Sequence, residues 1–476
     1  MSVKIDRRQF LELTAVSCIS AVWTPPLLAA SKDTIVNDVS HLNPTTVADV
    51  KRPRSTEEVR SALRSWSGSV SVGGSGFSMG GQIAEPGSRH LDMREMSQVI
   101  YFDASSKLIR VQAGITWRDI QDVIDPHDLA VKIMQSYSNF TVGGSLSVNC
   151  HGRYIGRGPV VNSVRAVQMV TVNGEILELS RSHEPELFSA IFGGYGGLGV
   201  ITEVVLELED NTRIERIVKD VMLTEYPSYF RKNIISNPNV LMHNADLIPP
   251  NFSAPRGISW VATDKALTHS ERLVPRGLNY TLEKNAIWAL TELPGAGRLR
   301  ETVDDLTLQH ESAITWRNHE ASFDNASLEP RTRAFSTYLL QEYFIPVENF
   351  LPFSLQMAII LKVHNVHCLN VSIRHSPADT ASLMKWAPVE VFSFVIYYKQ
   401  RTSQQASDAV RVWTRKLIDL ALANGGRYYL PYRLDATNDQ FLRAYPEARA
   451  FSVLKARVDP DNRLRNLLWD KYLPLT

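Results

Sequence analysis

Residues 72–81 read Val-Gly-Gly-Ser-Gly-Phe-Ser-Met-Gly-Gly, and no other stretch constrains the fold as much. Glycines at this density let consecutive backbone N–H groups converge on an anion, because no Cβ blocks the approach. Ser69, Val70, Ser71 and Val72 alternate ahead of the run. The spacing therefore predicts a short strand that opens into an anion nest. The competing reading is a glycine-rich surface turn. A P-loop would need Gly-Lys followed by Ser or Thr, and the run contains no Lys. A dinucleotide fingerprint would need Gly-x-Gly-x-x-Gly, but Met79 stands three residues after Gly76. That fingerprint does occur at Gly194, Gly196 and Gly199. There it follows the helix-like segment 186–191 and precedes the alternating segment 200–208, which reverses the strand–loop–helix order such a site requires.

The length of 476 residues suggests two or three domains. A net charge of +1 excludes the basic field that recruits nucleic acid. No uncharged apolar run approaches the length that spans a bilayer, which argues against an integral membrane protein. The three cysteines, Cys18, Cys150 and Cys368, have no zinc or iron–sulfur spacing. Whether Cys150 and Cys368 pair is open at this level. His364, His367 and His375 match no helical metal pair, so no metal site is expected.

Four landmarks follow one another in order: residues 72–82, 109–117, 141–152 and 196–203. Together they resemble the FAD-binding domain of the vanillyl-alcohol oxidase and p-cresol methylhydroxylase superfamily. The resemblance implies an α+β fold. A two-subdomain FAD domain would span 43–210 and an α/β substrate domain 211–424. A C-terminal segment, 425–476, would return to the FAD domain. FAD would be held by Gly73, Gly74, Ser75, Gly76, Phe77, Ser78 and Gln82 from the first landmark. Thr141, Gly143, Gly144, Ser147, His151, Gly152 and Ile201 would complete the set. Covalent relatives carry His where this chain has Phe77, so the flavin is expected to be bound non-covalently.

Segments 334–346, 369–375 and 391–400 read as strands, the last apolar on both faces and so central. Period-two geometry puts Gln341 and Tyr343 on one face of the first, and Tyr397 and Lys399 on one face of the last. The C-terminal segment is similar to that of aldonolactone and alditol oxidases and of decaprenylphosphoryl-ribose oxidase. Arg374 is the first candidate for a functional polar residue, since its strand is similar to the sugar-alcohol oxidases' Glu-x-Arg. Here Ser372 replaces the carboxylate. Arg374 is otherwise a paired structural arginine. The relatives' C-terminal lysine is absent, and Tyr429, Tyr432 and Arg433 stand in that region. Arg433 cannot act as a base at neutral pH but can pin a carboxylate. Lys399 would replace the lysine if its face met the cavity, and is otherwise solvated. Gln341 and Tyr343 resemble the polar strand that lines the pocket of the ribose-oxidising relative.

The expected activity is FAD-dependent oxidation of a C–OH group of a sugar, polyol or lactone-like substrate by hydride transfer to flavin N5. The alternatives are oxidation of a phenol or amine, or an FAD-binding protein that has lost catalysis, which the missing carboxylate at 372 favours. The partners would be a small-molecule substrate and an electron acceptor: O2, a quinone or a carrier protein. Cys150, just before His151 and Gly152, would screen the flavin from O2 and favour a dehydrogenase. Lys4, Arg7 and Arg8 precede the uncharged stretch 13–23 and the small residues Ala29 and Ala30. This layout predicts a signal peptide over 1–30. Arg7 and Arg8 resemble the twin-arginine motif, which implies export to the periplasm after folding.

Overall fold

The computed structural model describes residues 34–281, 284, 285, 291, 313–330 and 332–473. The expected signal peptide, with Cys18, lies outside them. Among the described residues no helix is long and apolar enough to cross a membrane.

The FAD region has two parts. In the first, strands Asp49–Lys51, Arg89–Asp92 and Val70–Gly73 form a parallel sheet. Helix Thr56–Arg64 lays Val59, Ala62 and Leu63 against it. That helix starts where the Ser55 hydroxyl accepts from the Glu58 N–H, with Glu57 and Glu58 in the positive first turn. In the second part, strand Val200–Asp210 lies between Val164–Val170 and Leu108–Gln112, flanked by Ile176–Ser180 and Val99–Asp103. The glycine run leaves the C-terminal end of Val70–Gly73, between the two parts.

The second region is one eight-stranded antiparallel sheet. Its order is Ile314–Trp316, Arg213–Asp220, Arg256–Ala262, Val240–Leu247, Cys368–Ser376, Val391–Arg401, Ser336–Pro346, Arg427–Tyr428. Strand Val391–Arg401 is internal, as its two apolar faces predict. Helices Phe350–Val363 and Gln404–Ala423 cover one face. Phe350 and Phe353 pack on Phe394, with ring centroids 5.4 and 4.8 Å apart.

The C-terminal segment first adds the edge strand Arg427–Tyr428 to this sheet and then crosses to the FAD region. Met79 N donates to Pro431 O at 2.7 Å, and the Gln82 amide donates to the Leu430 and Tyr432 carbonyls, each at 2.7 Å. Further on, Val70 N donates to Arg463 O and Arg465 N to Val70 O. The glycine fingerprint at 194–199 receives this tail. Trp469 Nε1 donates to Gly194 O at 2.9 Å and the buried Lys455 ammonium to Gly197 O at 3.0 Å. Lys455 is further held by Asp459 and the Leu464 carbonyl, so its buried charge is paired. The fingerprint is thus a docking socket for the chain's own tail. Cys150 and Cys368 are both buried and are not joined to each other by a disulfide.

Candidate active site

The glycine run meets residues 141–144 at very close range. A Cβ on Gly74 would sit 2.1 Å from Thr141 Oγ1, and Gly76 takes φ +74°. Only glycine serves both positions: one for its missing side chain, the other for its left-handed backbone. His90 lies under the run, accepting or donating to Ser71 Oγ at 3.1 Å. Burial lowers its pKa to about 4, so the imidazole is neutral at pH 7.

A cleft follows from this approach. Its narrower part, about 70 Å³, is lined by Gly73, Gly74, Ser78, Gln82, Thr141, Gly143, Gly144, Ser147 and Ile201. Its wider part, about 210 Å³, shares Gly74, Ser78, Thr141 and Gly144 and adds Ser75, Gly76, Phe77 and His151. Phe77 stacks on Phe140 with centroids 4.0 Å apart. Gly152 does not line the cleft. A Cβ there would lie 2.1 Å from Met134 O, so this glycine serves backbone packing. Cys150 lines the wider part, but burial pushes its thiol up to about 12, which keeps it protonated and unsuited to a flavin linkage.

The wider part ends on the face of the eight-stranded sheet opposite helices Phe350–Val363 and Gln404–Ala423. Arg374, Tyr429 and Tyr432 line it, as does Glu342, a residue that sequence reasoning passed over. Gln341 and Tyr343 do not. They share the opposite face, where Gln341 Nε2 donates to Thr414 Oγ1 at 2.7 Å and the Tyr343 hydroxyl donates to Gln341 Oε1 at 2.5 Å. The period-two argument grouped the strand's residues properly, and it was the resemblance to the ribose-oxidising relative that assigned the wrong group to the cavity. Lys399 is buried beside Thr291, Nζ to Oγ1 3.0 Å, and does not line the cleft. Arg433 pairs with Asp435, Nε to Oδ2 3.0 Å, also off the cleft.

Glu342 is the centre of the polar end. Its Oε1 is 2.7 Å from His151 Nε2, and both side chains are almost wholly buried. Its Oε2 has the Tyr432 hydroxyl at 3.4 Å. Burial alone would raise this carboxyl. Attraction to the His151 ring, the hydrogen bond from it, and the Arg374 guanidinium outweigh burial and hold the group below the usual carboxylate range. Tyr429 and Tyr432 are shifted the other way, by burial first and then by neighbours that include Glu342, so both stay protonated. Cross-strand register explains the carboxylate missing at Ser372. Ser372 pairs with Val395, and Val395 with Glu342, so all three stand in one row on one face. The row carries Asp246 beside Ser372 on one side and Glu342 two strands along on the other, and only Glu342 lines the cleft. The sequence signal was a single acid inside the otherwise uncharged stretch 335–346.

Two buried polar atoms at this end, His151 Nδ1 and Arg374 Nε, have no protein partner among the described residues. Together with the glycine cradle they fit a cofactor that brings its own polar edge. Among the described residues no group of three or more His, Cys, Asp and Glu is placed to hold a metal.

Residues 47–180 match the profile of the FAD binding domain. Bovine (Bos taurus) L-gulonolactone oxidase is 24% identical over 444 residues, covering 88% of this chain and 94% of the relative. Alditol oxidase from Streptomyces is 28% identical over 34% of this chain and 39% of its own. The chain is similar to members of the vanillyl-alcohol oxidase and p-cresol methylhydroxylase superfamily. A solved solvent-stable cholesterol oxidase shares the fold, with TM-score 0.73 and 16% identity over 92% of this chain and 97% of the other. This flavoprotein is therefore an FAD-dependent oxidoreductase related to the sugar, lactone and alditol oxidases. FAD supplies the hydride acceptor. Residues 73–78 and 141–147 would hold it, and His151 and Arg374 would face its ring.

Proposed function

We propose that this oxidoreductase acts on CH–OH donors, oxidising one hydroxyl-bearing carbon of a sugar, polyol or lactone-like substrate. One observation carries the reading: the cleft that begins in the glycine cradle ends on a buried acid–base pair, Glu342 and His151, beside an arginine. Removing hydrogen from an alcohol carbon requires a group that takes the hydroxyl proton and a cation that stabilises the negative charge left behind. Arg374 is permanently charged and forms no ion pair with a described residue, which suits the second task.

The wall favours a cyclic substrate over an open-chain one. Tyr338, Tyr397 and Tyr429 line the cavity. Their hydroxyls are engaged by Thr291 Oγ1, Leu328 O and Val148 O at 3.0, 2.7 and 2.8 Å. They offer ring faces rather than donors, and ring faces stack on the C–H face of a pyranose or lactone. Cys150 on the flavin side supports a dehydrogenase that passes electrons to a quinone or carrier. The test is a steady-state panel of cyclic sugars, lactones, open polyols, phenols and amines, read with a dye acceptor and with O2. Turnover of cyclic alcohols with the dye is expected. Turnover of phenols or amines alone would overturn the reading.

We also propose delivery to the periplasm by the twin-arginine route, on the strength of Arg7 and Arg8 ahead of the apolar stretch. Changing both to Lys should leave the protein in the cytoplasm. Undiminished export of that variant, followed by fractionation, would contradict the route.

A further inference from the structure

We propose that Glu342 is the catalytic base of this site and that His151 is its positioning partner. The proposal rests on the C–OH reading above and names the residue that handles the proton.

The geometry selects Glu342 by what its two oxygens do. Oε1 is committed to His151 Nε2 at 2.7 Å, a bond short enough to fix the carboxylate plane. Oε2 has the Tyr432 hydroxyl at 3.4 Å, which is beyond a strong O–H···O bond, and the Ser393 hydroxyl is a further neighbour of the carboxylate. One lone-pair side is therefore left for a substrate hydroxyl inside the cavity. The His151 ring is clamped by aromatic neighbours: Trp386 at 4.7 Å, Phe344 at 5.6 Å and Tyr429 at 6.0 Å between centroids. A ring held that way orients the acid rather than moving with the substrate.

Four of the other lining groups fail on chemistry. Arg374 cannot accept a proton. Tyr429 and Tyr432 are held protonated, and so is Cys150. Glu342 itself stays ionised although it is fully enclosed, which is the state a base requires. The titratable groups acting on it are His151, Arg374, Tyr429, Tyr432, Tyr195 and Tyr445.

In the step, the substrate O–H bond breaks and a new O–H bond forms at Glu342 Oε2. The electron pair freed on oxygen closes the C=O bond. The C–H bond breaks, and its electron pair leaves with the hydrogen as hydride. The alcohol loses two electrons, and bound FAD would supply the two-electron acceptor, so no further reactant is needed.

The experiment compares wild type with Glu342→Gln, Glu342→Ala and His151→Asn, each loaded with FAD. Glu342→Gln should slow flavin reduction by about 10²–10⁴-fold, with FAD content and melting temperature unchanged. Formate should restore much of the rate to Glu342→Ala and none to His151→Asn. Independently of turnover, the infrared difference between wild type and Glu342→Gln at pH 6 should show an ionised carboxylate. A Glu342→Gln rate within threefold of wild type, or a protonated carboxyl in that spectrum, would overturn the proposal. Failure of every alcohol to reduce the wild type would instead remove the C–OH reading on which it stands.

Discussion

Gly74→Val is expected to purify as a colourless protein. Its Cβ alone would lie 2.1 Å from Thr141 Oγ1, and the two extra methyls must push residues 73–78 away from residues 141–144. Overpacking of this kind commonly costs about 1–3 kcal/mol where the neighbours can shift. Here a shift opens the cradle itself. Val142 and Leu146 belong to the main hydrophobic core, but most of the core lies away from this contact, around Val59, Leu63 and Leu91 and around Phe350, Phe392 and Phe394. Folding should therefore survive while flavin is lost. The ratio of flavin absorbance to protein, read beside far-ultraviolet circular dichroism, checks this. Full FAD occupancy in a folded variant would mean that the cofactor does not rest on this run.

Arg374→Met should keep its flavin and lose about 10²–10³-fold in the rate of flavin reduction, the usual loss when one charge-stabilising donor is removed from a reacting centre. A second effect follows from the sign of the charge. Arg374 helps hold the Glu342 carboxyl below the usual range. Without it the ionised form is less favoured and the carboxyl titrates at higher pH. The acid limb of the rate profile should therefore move upward, while Arg374→Lys, which keeps the charge, should move it far less. An unchanged acid limb in Arg374→Met would show that the guanidinium does not act on Glu342.

Much of the cofactor side was legible in the sequence because its requirements are local. Gly74 must touch another loop and Gly76 takes a left-handed backbone, and both are needs that a glycine in the run announces. The same holds for the rejected fingerprint at 194–199. Element order excluded it as a nucleotide loop, and its partner proved to be the chain's own Trp469 and Lys455. The substrate side was harder to read. Strand 336–346 could be sorted into two faces from sequence, but which face meets the cleft depends on helices Phe350–Val363 and Gln404–Ala423, more distant information than the strand carries. Hence Gln341 and Tyr343 were favoured while Glu342 between them was missed. Ser372 misled for a related reason. Within its own strand it marks a lost carboxylate, whereas across the sheet Glu342 occupies the same row. The argument that catalysis had been lost therefore no longer has its ground.

The account's central claim is that one cleft joins the FAD cradle to an alcohol-oxidising acid–base pair. The most direct measurement is anaerobic mixing of the FAD-loaded protein with cyclic sugars and lactones, following the visible absorbance of oxidised flavin. The account predicts bleaching that is slowed when the carbinol hydrogen is replaced by deuterium, with one carbonyl product formed per flavin. A flavin that stays oxidised against every alcohol, yet is reduced by dithionite, would contradict it.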